Sequence, residues 1–335
     1  MKRILSFAVA ICMVLSVCFV SVSVFADNAE LQGNALPAFP GAEGGGKYTK
    51  GARGILDSGE GKLEVYHVTN LHSEGPGSFT DAISQSGRIV VFDVGGVIDV
   101  PSTVYINNDN ITILGQTAPG DGITLTGGDL RIGNGVKNVI IRYMRVRPTN
   151  KNGQEVDGLG GQWNSDIIID HCSTSWCVDE GLTLYAGSAE SDTYEQGKRL
   201  TVQNTITSES MRMSGHFKGA HGYGAIIGGT NATYYRNLFA HHDSRSPRLD
   251  RVLQNTDFRN NVVYNWGVTN SAYGGEPTSP HNKVINPSKV NYSNNYYKYG
   301  PSTVSGKRYR IYDFAKMAKV IDGVTYKSKF YMTDN

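Results

Sequence analysis

One arginine-containing stretch and two acidic positions upstream of it carry the side chains best suited to chemistry. The stretch HHDSRSPRLDR spans residues 241–251 and places Arg245 two residues before Pro247. Asp157 and the adjacent pair Asp179–Glu180 precede it. Proline restricts the backbone and so fixes where a neighbouring arginine points, and a guanidinium group can bind a carboxylate through two parallel hydrogen bonds. In a strand-rich chain this combination indicates a site for acidic sugars.

The first 26 residues have the composition of a secretory signal peptide. The basic pair Lys2-Arg3 precedes an apolar run over residues 4–24, and Val24-Phe25-Ala26 has the pattern that signal peptidase cleaves after. The apolar run is long enough to span a bilayer, but no basic stop-transfer flank follows it. We therefore expect residues 1–26 to be removed, residues 27–36 to form a short linker, and a secreted, extracellular protein without a membrane anchor.

The expected mature chain carries no net charge. Loss of the basic pair reduces 32 Lys and Arg to 30, against 30 Asp and Glu. Nucleic-acid binding needs a basic stripe, so we expect no nucleic-acid partner. A polyanion must then be held locally, by a few Lys and Arg side chains or by a bridging metal ion.

Cys172 and Cys177 are the cysteines that remain after the signal peptide. Export permits a disulfide between them, but both could equally be buried as small apolar side chains. CxxxxC without a second cysteine pair is poor support for a zinc site. The sequence leaves the disulfide open.

Strand-like runs recur from about residue 62 onward, separated by Gly, Asn, Asp and Pro. Their β-branched and aromatic residues are typical of strands, and one short helix is expected at 78–85, capped by Ser78. The runs begin 24–34 residues apart, at Asn110, Asn138, Asp166, Arg199, Asn231, Asn255 and Lys289. Such a spacing indicates a solenoid. We predict an all-β, right-handed parallel β-helix over residues 37–335, whose coils bury apolar side chains against one another.

A polar position recurs within these runs, at His171, Asn204, Asn237, Asn261 and Asn295. Stacked amides can hydrogen-bond along parallel strands, so we interpret the position as an asparagine ladder rather than as isolated turn residues. Asp170-His171 coincides with this recurring polar position. We therefore expect a buried pair whose hydrogen bonds are satisfied, rather than a catalytic dyad. Four long turns are expected to form the walls of a groove, at 149–163, 185–198, 208–228 and 266–287.

Seven long motifs follow one another along the chain. They are PAFPGAEGGGKYTKGARG at 37–54, VYHVTNL at 65–71, GPGSFTDAI at 75–83, ILGQTAPGDGI at 113–123, IIIDHCSTSWCVDE at 167–180, HFKGAHGYGAIIGG at 216–229 and HHDSRSPR at 241–248. In this order they resemble the secreted bacterial pectate lyases of polysaccharide lyase family 1, over nearly all of residues 37–300. The resemblance implies a parallel β-helix, calcium, and cleavage of polygalacturonate by β-elimination to unsaturated oligogalacturonides.

The resemblance also implies a set of metal ligands. β-Elimination removes a proton from C5 of a uronate, and a Ca2+ ion bridging protein and substrate carboxylates would stabilise the developing charge. Calcium takes six to eight oxygens, so Asp157, Asp179 and Glu180 are the expected ligands. The family places a second pair of carboxylates four residues apart. Here Thr183 stands four residues after Asp179, and Glu180 is expected to substitute.

Arg245 matches the arginine that abstracts the proton in this family. Free arginine is protonated at neutral pH, so either neighbouring cations disfavour its charge or it holds the substrate carboxylate while another group moves the proton. His221, His241 and His242 are the alternative proton carriers. A purely structural pairing of Arg245 with Asp243 also stays open.

Two further side chains are expected to bind substrate. Lys218 is the only lysine between Leu200 and Arg245, which is where the family has its substrate-binding lysine. The family's second arginine lies three residues after the proline, whereas here Arg248 lies one residue after it and Arg251 four. Arg248 is the predicted substrate ligand, although its register differs.

Other functions fit the same sequence. A lyase for methyl-esterified pectin would use an aromatic groove in place of the acidic positions, and a hydrolase would need carboxylates that flank the scissile bond. A non-catalytic β-helix that binds wall polysaccharide is the alternative from another class. We expect a monomer. Residues from 304 onward show no clear chemistry, and the sequence leaves open whether further coils follow Asn335.

Overall fold

Parallel strands dominate the part of the chain that the computed structural model describes, residues 35–59, 61–186, 197–278 and 285–335, without the side chains of residues 58, 251 and 252. The expected signal peptide and most of the linker lie outside these ranges. Residues Pro37–Asn335 form a compact unit. Within the described ranges, no helix has the length and apolar composition needed to cross a bilayer.

The strands are arranged as a right-handed parallel β-helix, as predicted. Equivalent strands of successive coils pair in parallel and form three sheets. Sheet I contains Glu64–Val68, Arg88–Phe92, Ile111–Leu114, Lys137–Arg142, Ser165–Asp170, Lys198–Gln203, Lys289–Ser293 and Lys329–Thr333. Sheet II contains Gly96–Asp99, Ile123–Thr126, Arg145–Arg147, Ser173–Ser175, Ile206–Ser208, Leu238–Ala240, Val262–Tyr264 and Tyr296–Lys298.

Sheet III carries the acidic positions. It contains Val104–Ile106, Leu130–Ile132, Leu159–Gln162, Glu180–Tyr185, Ala272–Gly274 and Tyr312–Asp313. Two longer strands, Tyr223–Tyr235 and Arg248–Arg259, begin in sheet III and continue into sheet I. The remaining elements are an antiparallel hairpin (Ala318–Ile321 with Val324–Lys327), the α-helices Ile55–Ser58 and Phe79–Ala82, and the 3-10 helices Gly51–Gly54, Gly115–Thr117 and Ser305–Lys307. Ser78 caps the second α-helix by accepting from the Asp81 amide, as expected.

The core consists of apolar side chains from all three sheets, stacked in register from coil to coil. Side chains at equivalent positions of consecutive coils bury one another, so the coils stabilise each other more than any coil stabilises itself. One stack changes from aliphatic to aromatic along the helix and is fully buried throughout: Ile113, Ile141, Ile169, Val202, Tyr234, Phe258 and Tyr292.

Six of the seven predicted coil starts are left-handed corner residues. Their φ angles lie between 52° and 61°, at Asn110, Asn138, Asp166, Arg199, Asn231 and Asn255. Asn and Asp tolerate this conformation better than most residues. The corners also bond to each other, since the Asn138 amide donates to Asn110 at 3.0 Å and Arg199 binds both oxygens of Asp166 at 2.6 Å. The spacing between these predicted coil starts is therefore the spacing of the left-handed corners.

The asparagine ladder is present, but its predicted phase is wrong at two positions. Backbone amides donate to the asparagine of the next coil, from Thr205 to Asn237, from Asn237 to Asn261 and from Asn261 to Asn295, at 2.9–3.0 Å. His171 and Asn204 instead occupy the left-handed corner that precedes the ladder, with φ near 52°. A corner residue points its side chain outward, so neither belongs to the ladder.

Asp170 is buried, as predicted, whereas His171 is not. The Asp170 carboxylate accepts hydrogen bonds from Arg142, Gln203 and Asn204 at 2.8–3.1 Å. The His171 ring lies 2.9 Å from the same carboxylate, but its side chain is 43% exposed. Burial raises the pKa of Asp170, but hydrogen bonds from His171, Asn204, Gln203 and Arg142 outweigh it and hold the pKa below its ordinary value. The carboxylate therefore has a structural role.

The glycine-rich segment near residue 45 packs flat on the outer face of sheet I. The Gly46 amide donates to Thr201 Oγ1 at 2.8 Å. A Cβ atom at Gly45 would lie 1.7 Å from the carbonyl oxygen of Asn231, and one at Gly46 would lie 2.3 Å from that of Ile167. Any side chain at these positions would lift the segment off the sheet, because the neighbouring atoms are backbone.

Cys172 and Cys177 are both free thiols, and both are buried. The disulfide that the sequence left open is therefore absent between them. They fill the core as small side chains.

Candidate active site

The site lies at the start of the sheet III strands, where four consecutive coils bring polar residues into one line. Gly158, next to Asp157, donates to the Glu180 carbonyl at 2.8 Å. Glu180 is paired with Tyr223, and Tyr223 with Ser244, the neighbour of Arg245. A parallel β-helix places such residues about one strand spacing apart. Residues separated by up to 88 positions in the sequence thus become neighbours.

The three predicted ligands lie together in the structure. One carboxylate oxygen each of Asp157, Asp179 and Glu180 lies within 4.8 Å of the other two. We call these three residues the carboxylate cluster. Asp157 is bound from three directions, by Arg131 at 3.1 Å, by the Thr183 hydroxyl at 2.8 Å and by the Glu180 amide at 3.2 Å. Thr183 is thus a hydrogen-bond donor at the place where the family has a carboxylate.

The electrostatics of the carboxylate cluster are unfavourable without a cation. Burial raises the pKa of Asp157 to about 6, and the charge of Asp179 adds to this rise, while Arg131 and Thr183 oppose it. Neighbouring carboxylates raise one another's pKa because their charges repel. The Oδ1 atom of Asp179 is buried and has no hydrogen-bond partner among the described residues. A buried carboxylate oxygen in this state has unused capacity to bind a cation.

The carboxylate cluster fits a hard divalent cation. Its donors are oxygens, as calcium prefers, and Asp179 Oδ1 accepts no hydrogen bond from the described residues. His216 and His221 also lie against Asp179, with His216 Nε2 3.6 Å from Oδ2 and His221 Nε2 3.6 Å from Oδ1. The Nδ1 atom of His216 accepts from the Lys218 amide at 3.1 Å, so a neutral His216 ring carries its proton on Nε2. That nitrogen faces Asp179 as a donor.

Arg245 lies directly against the carboxylate cluster. Its Nη1 contacts Glu180 Oε1, and its Cζ lies 4.1 Å from the centre of the Tyr223 ring. The Glu180 side chain is 5% exposed and that of Arg245 is 24% exposed. A carboxylate and a tyrosine ring thus hold the guanidinium on two sides, and one quarter of the side chain is open to solvent.

The sequence left open a structural ion pair between Arg245 and Asp243, but each of these residues pairs with another partner. Asp243 is bound to Arg212 at 3.2 Å and accepts from the Val268 amide at 3.2 Å. The partner of Arg245 is Glu180, the residue expected to substitute for a missing carboxylate. Arg245 therefore contacts the carboxylate cluster through Glu180.

Lys218 and Arg248 do not contact the carboxylate cluster directly. Lys218 is exposed, with its ammonium group 4.9 Å from the centre of the Phe217 ring. Arg248 pairs with Asp250 at 3.1 Å and Glu276 at 3.3 Å. Burial lowers the pKa of Arg248, but the two carboxylates outweigh it and the net change is upward. The side chain of Arg251 lies outside the described residues.

Besides Arg131, the residues His216, Glu155 and Tyr223 lie at the site without a role assigned from the sequence. His216 is buried and stacks on His221 with ring centres 3.7 Å apart, and Glu155 Oε2 lies 3.5 Å from His216 Nε2. Tyr223 carries Arg245 on its ring face. The motif HFKGAHGY contains all the aromatic residues involved, but the folding of its loop onto Asp179 depends on contacts that spacing does not reveal.

Of the three alternative proton carriers, only His221 is at the site. His242 is buried, with Nδ1 at 2.8 Å from Ser210 Oγ and Nε2 at 2.9 Å from the Thr207 carbonyl. Burial lowers the pKa of His242 to about 4, so it is neutral at physiological pH and structural. His241 lies beside Asn265 and packs edge-on against Tyr264.

Comparisons with known proteins were made against family models, curated sequences and solved structures. No family model matches the chain. A probable pectate lyase C of Aspergillus terreus is 37% identical over 271 residues, which cover 81% of this chain and 56% of the relative. A probable pectate lyase C of Emericella nidulans is 37% identical over 272 residues, 80% of this chain and 55% of the relative.

The chain is similar to pectate lyases over about four fifths of its length. It spans about half the length of the curated relatives that it matches. The crystal structure of jun a 1, the major allergen from cedar pollen, superposes with a TM-score of 0.56 over 95% of this chain and 86% of its own, at 15% identity. That likeness supports the parallel β-helix and nothing beyond the fold.

Proposed function

We propose that the protein is a calcium-dependent pectate lyase that cleaves α-1,4-polygalacturonate by β-elimination and releases unsaturated oligogalacturonides. The observation that carries the proposal is the contact of Arg245 with a carboxylate cluster whose Asp179 oxygen is buried and unpartnered. A strong base is not needed if the charge that forms beside C5 is stabilised in place. A bound cation with an arginine beside it would stabilise this charge.

The three carboxylates would hold calcium. When bound, the ion would supply Lewis-acid stabilisation of the negative charge that develops on the substrate carboxylate. Asp157 is held rigid by Arg131 and Thr183, so the cluster is preorganised for a cation. Glu180 is less committed as a ligand, because its Oε1 atom also contacts Arg245.

Arg245 would act on the reacting uronate as the catalytic residue. Tyr223 and Glu180 contact the guanidinium and fix its direction. In the reaction, a guanidine that has given up its own proton would take the C5 proton, the bond from C4 to the leaving oxygen would break as the C4–C5 double bond forms, and the departing oxygen would take a proton from water. Lys218 and Arg248 would bind carboxylates of neighbouring sugars.

The remaining properties in this proposal are secretion after cleavage of residues 1–26, a monomeric state, and no association with nucleic acid or membrane. The signal-peptide pattern supports secretion without a membrane anchor, and the balance of charges argues against binding to nucleic acid. The neutral mature chain attracts a polyanion only at the site. The substrate is therefore selected there and not by the whole surface.

The test is the formation of unsaturated product from de-esterified polygalacturonate, followed by ultraviolet absorbance. We expect activity that chelator abolishes and added calcium restores, and little activity on highly methyl-esterified pectin. Asp179→Asn should require far more calcium, whereas Asp121→Asn, an exposed carboxylate in another coil, should behave as the wild type. Cleavage that persists in chelator would remove calcium from the mechanism. Retention of polygalacturonate without cleavage at any calcium concentration would favour a binding module.

A further inference from the structure

A cavity of about 640 Å3 lies where the chain turns from sheet I into sheet II. Its lining comes from four successive coils and includes Gln116, Tyr143, His171, Asn204 and Ile206. The carboxylate cluster lies instead where the chain enters sheet III. Along each coil a strand of sheet II separates the two places, so a ligand in one does not occupy the other.

Two of the seven sequence motifs meet at this cavity. One is ILGQTAPGDGI, which supplies lining residues between 115 and 122, and the other is IIIDHCSTSWCVDE, which supplies residues 171–173. The second motif also supplies two members of the carboxylate cluster, whereas the first supplies none. The Asp170–His171 pair likewise has no part in the proposed catalysis. The lyase chemistry therefore does not account for these residues.

Tyr143 adopts a backbone conformation that suits it poorly. Its φ is 57°, in the left-handed region, where bulky residues are rare. The equivalent corners of later coils include Asn204, Asn260 and Asn294, and asparagine tolerates this conformation better. Residues held in such conformations cluster at binding and catalytic sites. Tyr143 is 38% exposed, so filling the core does not explain why it stands there.

The Tyr143 ring forms a flat aromatic surface together with His171. The two rings stack with centres 4.8 Å apart and planes 10° apart. Gly115 occupies the same corner one coil earlier, so that coil adds no side chain to the stack. Arg142, whose guanidinium lies 5.2 Å from the Tyr143 ring centre, does not line the cavity. Tyr143 therefore presents ring surface to the cavity.

Polar groups surround this aromatic surface. His171 Nδ1 lies 2.9 Å from the Asp170 carboxylate, so a neutral ring keeps Nε2 as an acceptor. The Asn204 amide nitrogen donates to the same carboxylate at 3.1 Å, which leaves the amide oxygen to accept. Gln116 adds a second amide group. Hydroxyl groups can both donate to and accept from such partners.

The size and charge of the cavity suit an uncharged ligand. Its volume falls within the roughly 300–1,000 Å3 of ligand pockets. Arg145 lines it and donates to the backbone carbonyl of Asp121, whose exposed carboxylate balances the charge of Arg145. This balance gives the cavity no preference for an anion. Ile206, which is 45% exposed, adds an apolar contact.

We propose that this cavity binds a neutral sugar residue of a polysaccharide, at a site separate from the catalytic groove. One face of the sugar ring carries C–H groups that pack on the Tyr143 ring, while its hydroxyls bond with Gln116, His171 and Asn204. The exposure of Tyr143 and Ile206 lets a glycan chain continue beyond the cavity. The site holds the protein on a neutral glycan and does not depend on the proposed lyase activity.

The test measures the retardation of the protein in native gels that contain soluble β-1,4-galactan, arabinan or hydroxyethyl cellulose. Chelator is present throughout, so a failure of the proposed calcium-dependent lyase leaves the result untouched. We expect at least one of the three to retard the wild type. Tyr143→Asn should weaken that binding at least about tenfold through loss of an aromatic anchor, and Gln116→Ala about threefold through loss of one hydrogen bond.

Two further variants serve as controls. Tyr143→Phe should bind as the wild type, because the ring and not the hydroxyl makes the contact. Tyr309→Ala, which removes a tyrosine that is 86% exposed in another coil, should also bind as the wild type. A wild type that none of the three neutral polysaccharides retards would overturn the proposal, and so would a Tyr143→Asn variant that binds as tightly as the wild type.

Tyr143→Asn also separates binding from folding. Asparagine suits the left-handed corner, so the melting temperature should stay within about 2 °C of that of the wild type while binding is lost. A purely structural role of Tyr143 would lower the melting temperature instead. In that case Gln116→Ala, which leaves the corner intact, decides, and unchanged binding in that variant overturns the proposal.

Discussion

Neutralising Asp157 should stabilise the metal-free protein at alkaline pH, which is the opposite of what removal of a structural ion pair does. The change is Asp157→Asn, studied in chelator. Burial raises the pKa of Asp157 to about 6 from an ordinary value of 3.8. Between these two values the folded protein holds a proton that the unfolded chain has lost. The contribution of this carboxyl group to stability is therefore greatest below about pH 4 and is lost as the pH rises through 6.

The magnitude follows from the size of the shift. A rise of about two pKa units is worth about 3 kcal/mol at 1.36 kcal/mol per unit, and this is the upper limit of the gain from Asn. The variant loses the ion pair with Arg131 and weakens the hydrogen bond from Thr183. Arg131 keeps its contact with Asp129 at 2.9 Å, so we expect a net gain of about 1–2 kcal/mol at pH 8.

The assay is thermal or denaturant unfolding at pH 4 and pH 8, in chelator and then with calcium. The gain should appear at pH 8 and vanish at pH 4, where Asp157 is protonated. With calcium the wild type should be more stable than Asp157→Asn, because the wild type binds the ion and is stabilised by it. Asp121→Asn should change stability by less than about 0.5 kcal/mol. If Asp157→Asn loses stability at pH 8 in chelator, the carboxylate cluster is a structural network.

Three further changes test the framework that positions the site. Asn261→Ala should cost about 2–4 kcal/mol in unfolding free energy, because it leaves two buried backbone groups of the preceding coil, the Asn237 amide and the Tyr234 carbonyl, unpaired, whereas the exposed Asn134→Ala should cost little. Asp170→Asn should lower stability at pH 7 and flatten the loss of stability in acid, since the lowered pKa of Asp170 stabilises the fold above pH 4 and that contribution is lost as pH falls. Gly45→Ala should release the segment near residue 45 to limited proteolysis, because its Cβ meets backbone at 1.7 Å.

The fold could be predicted because its corners need particular residues. Asn110, Asn138 and Asp166 mark the start of successive coils, and a left-handed corner favours Asn and Asp over other residues. Which residue of each coil occupies the ladder was harder to predict from the sequence. His171 and Asn204 lie one residue before their ladder positions, and a polar residue at either place gives the same pattern in sequence.

The candidate site could be predicted in its ligands but not in its contacts. Asp157, Asp179 and Glu180 stand at or just before the start of sheet III strands, and stacking of coils brings them together. The pairing of Glu180 with Arg245 depends on how far the loop 208–222 carries the chain before it re-enters sheet III. Loop length does not encode that path, so the contact is found only in three dimensions.

The most direct test of the central claim is the activity of Arg245→Lys on polygalacturonate at saturating calcium, with calcium affinity measured on the same sample. Lysine keeps the positive charge but cannot reproduce the planar guanidinium held between Glu180 and Tyr223. We predict that formation of unsaturated product falls by at least about a hundredfold while calcium still binds. Activity near that of the wild type, with calcium bound, would contradict a catalytic role for Arg245.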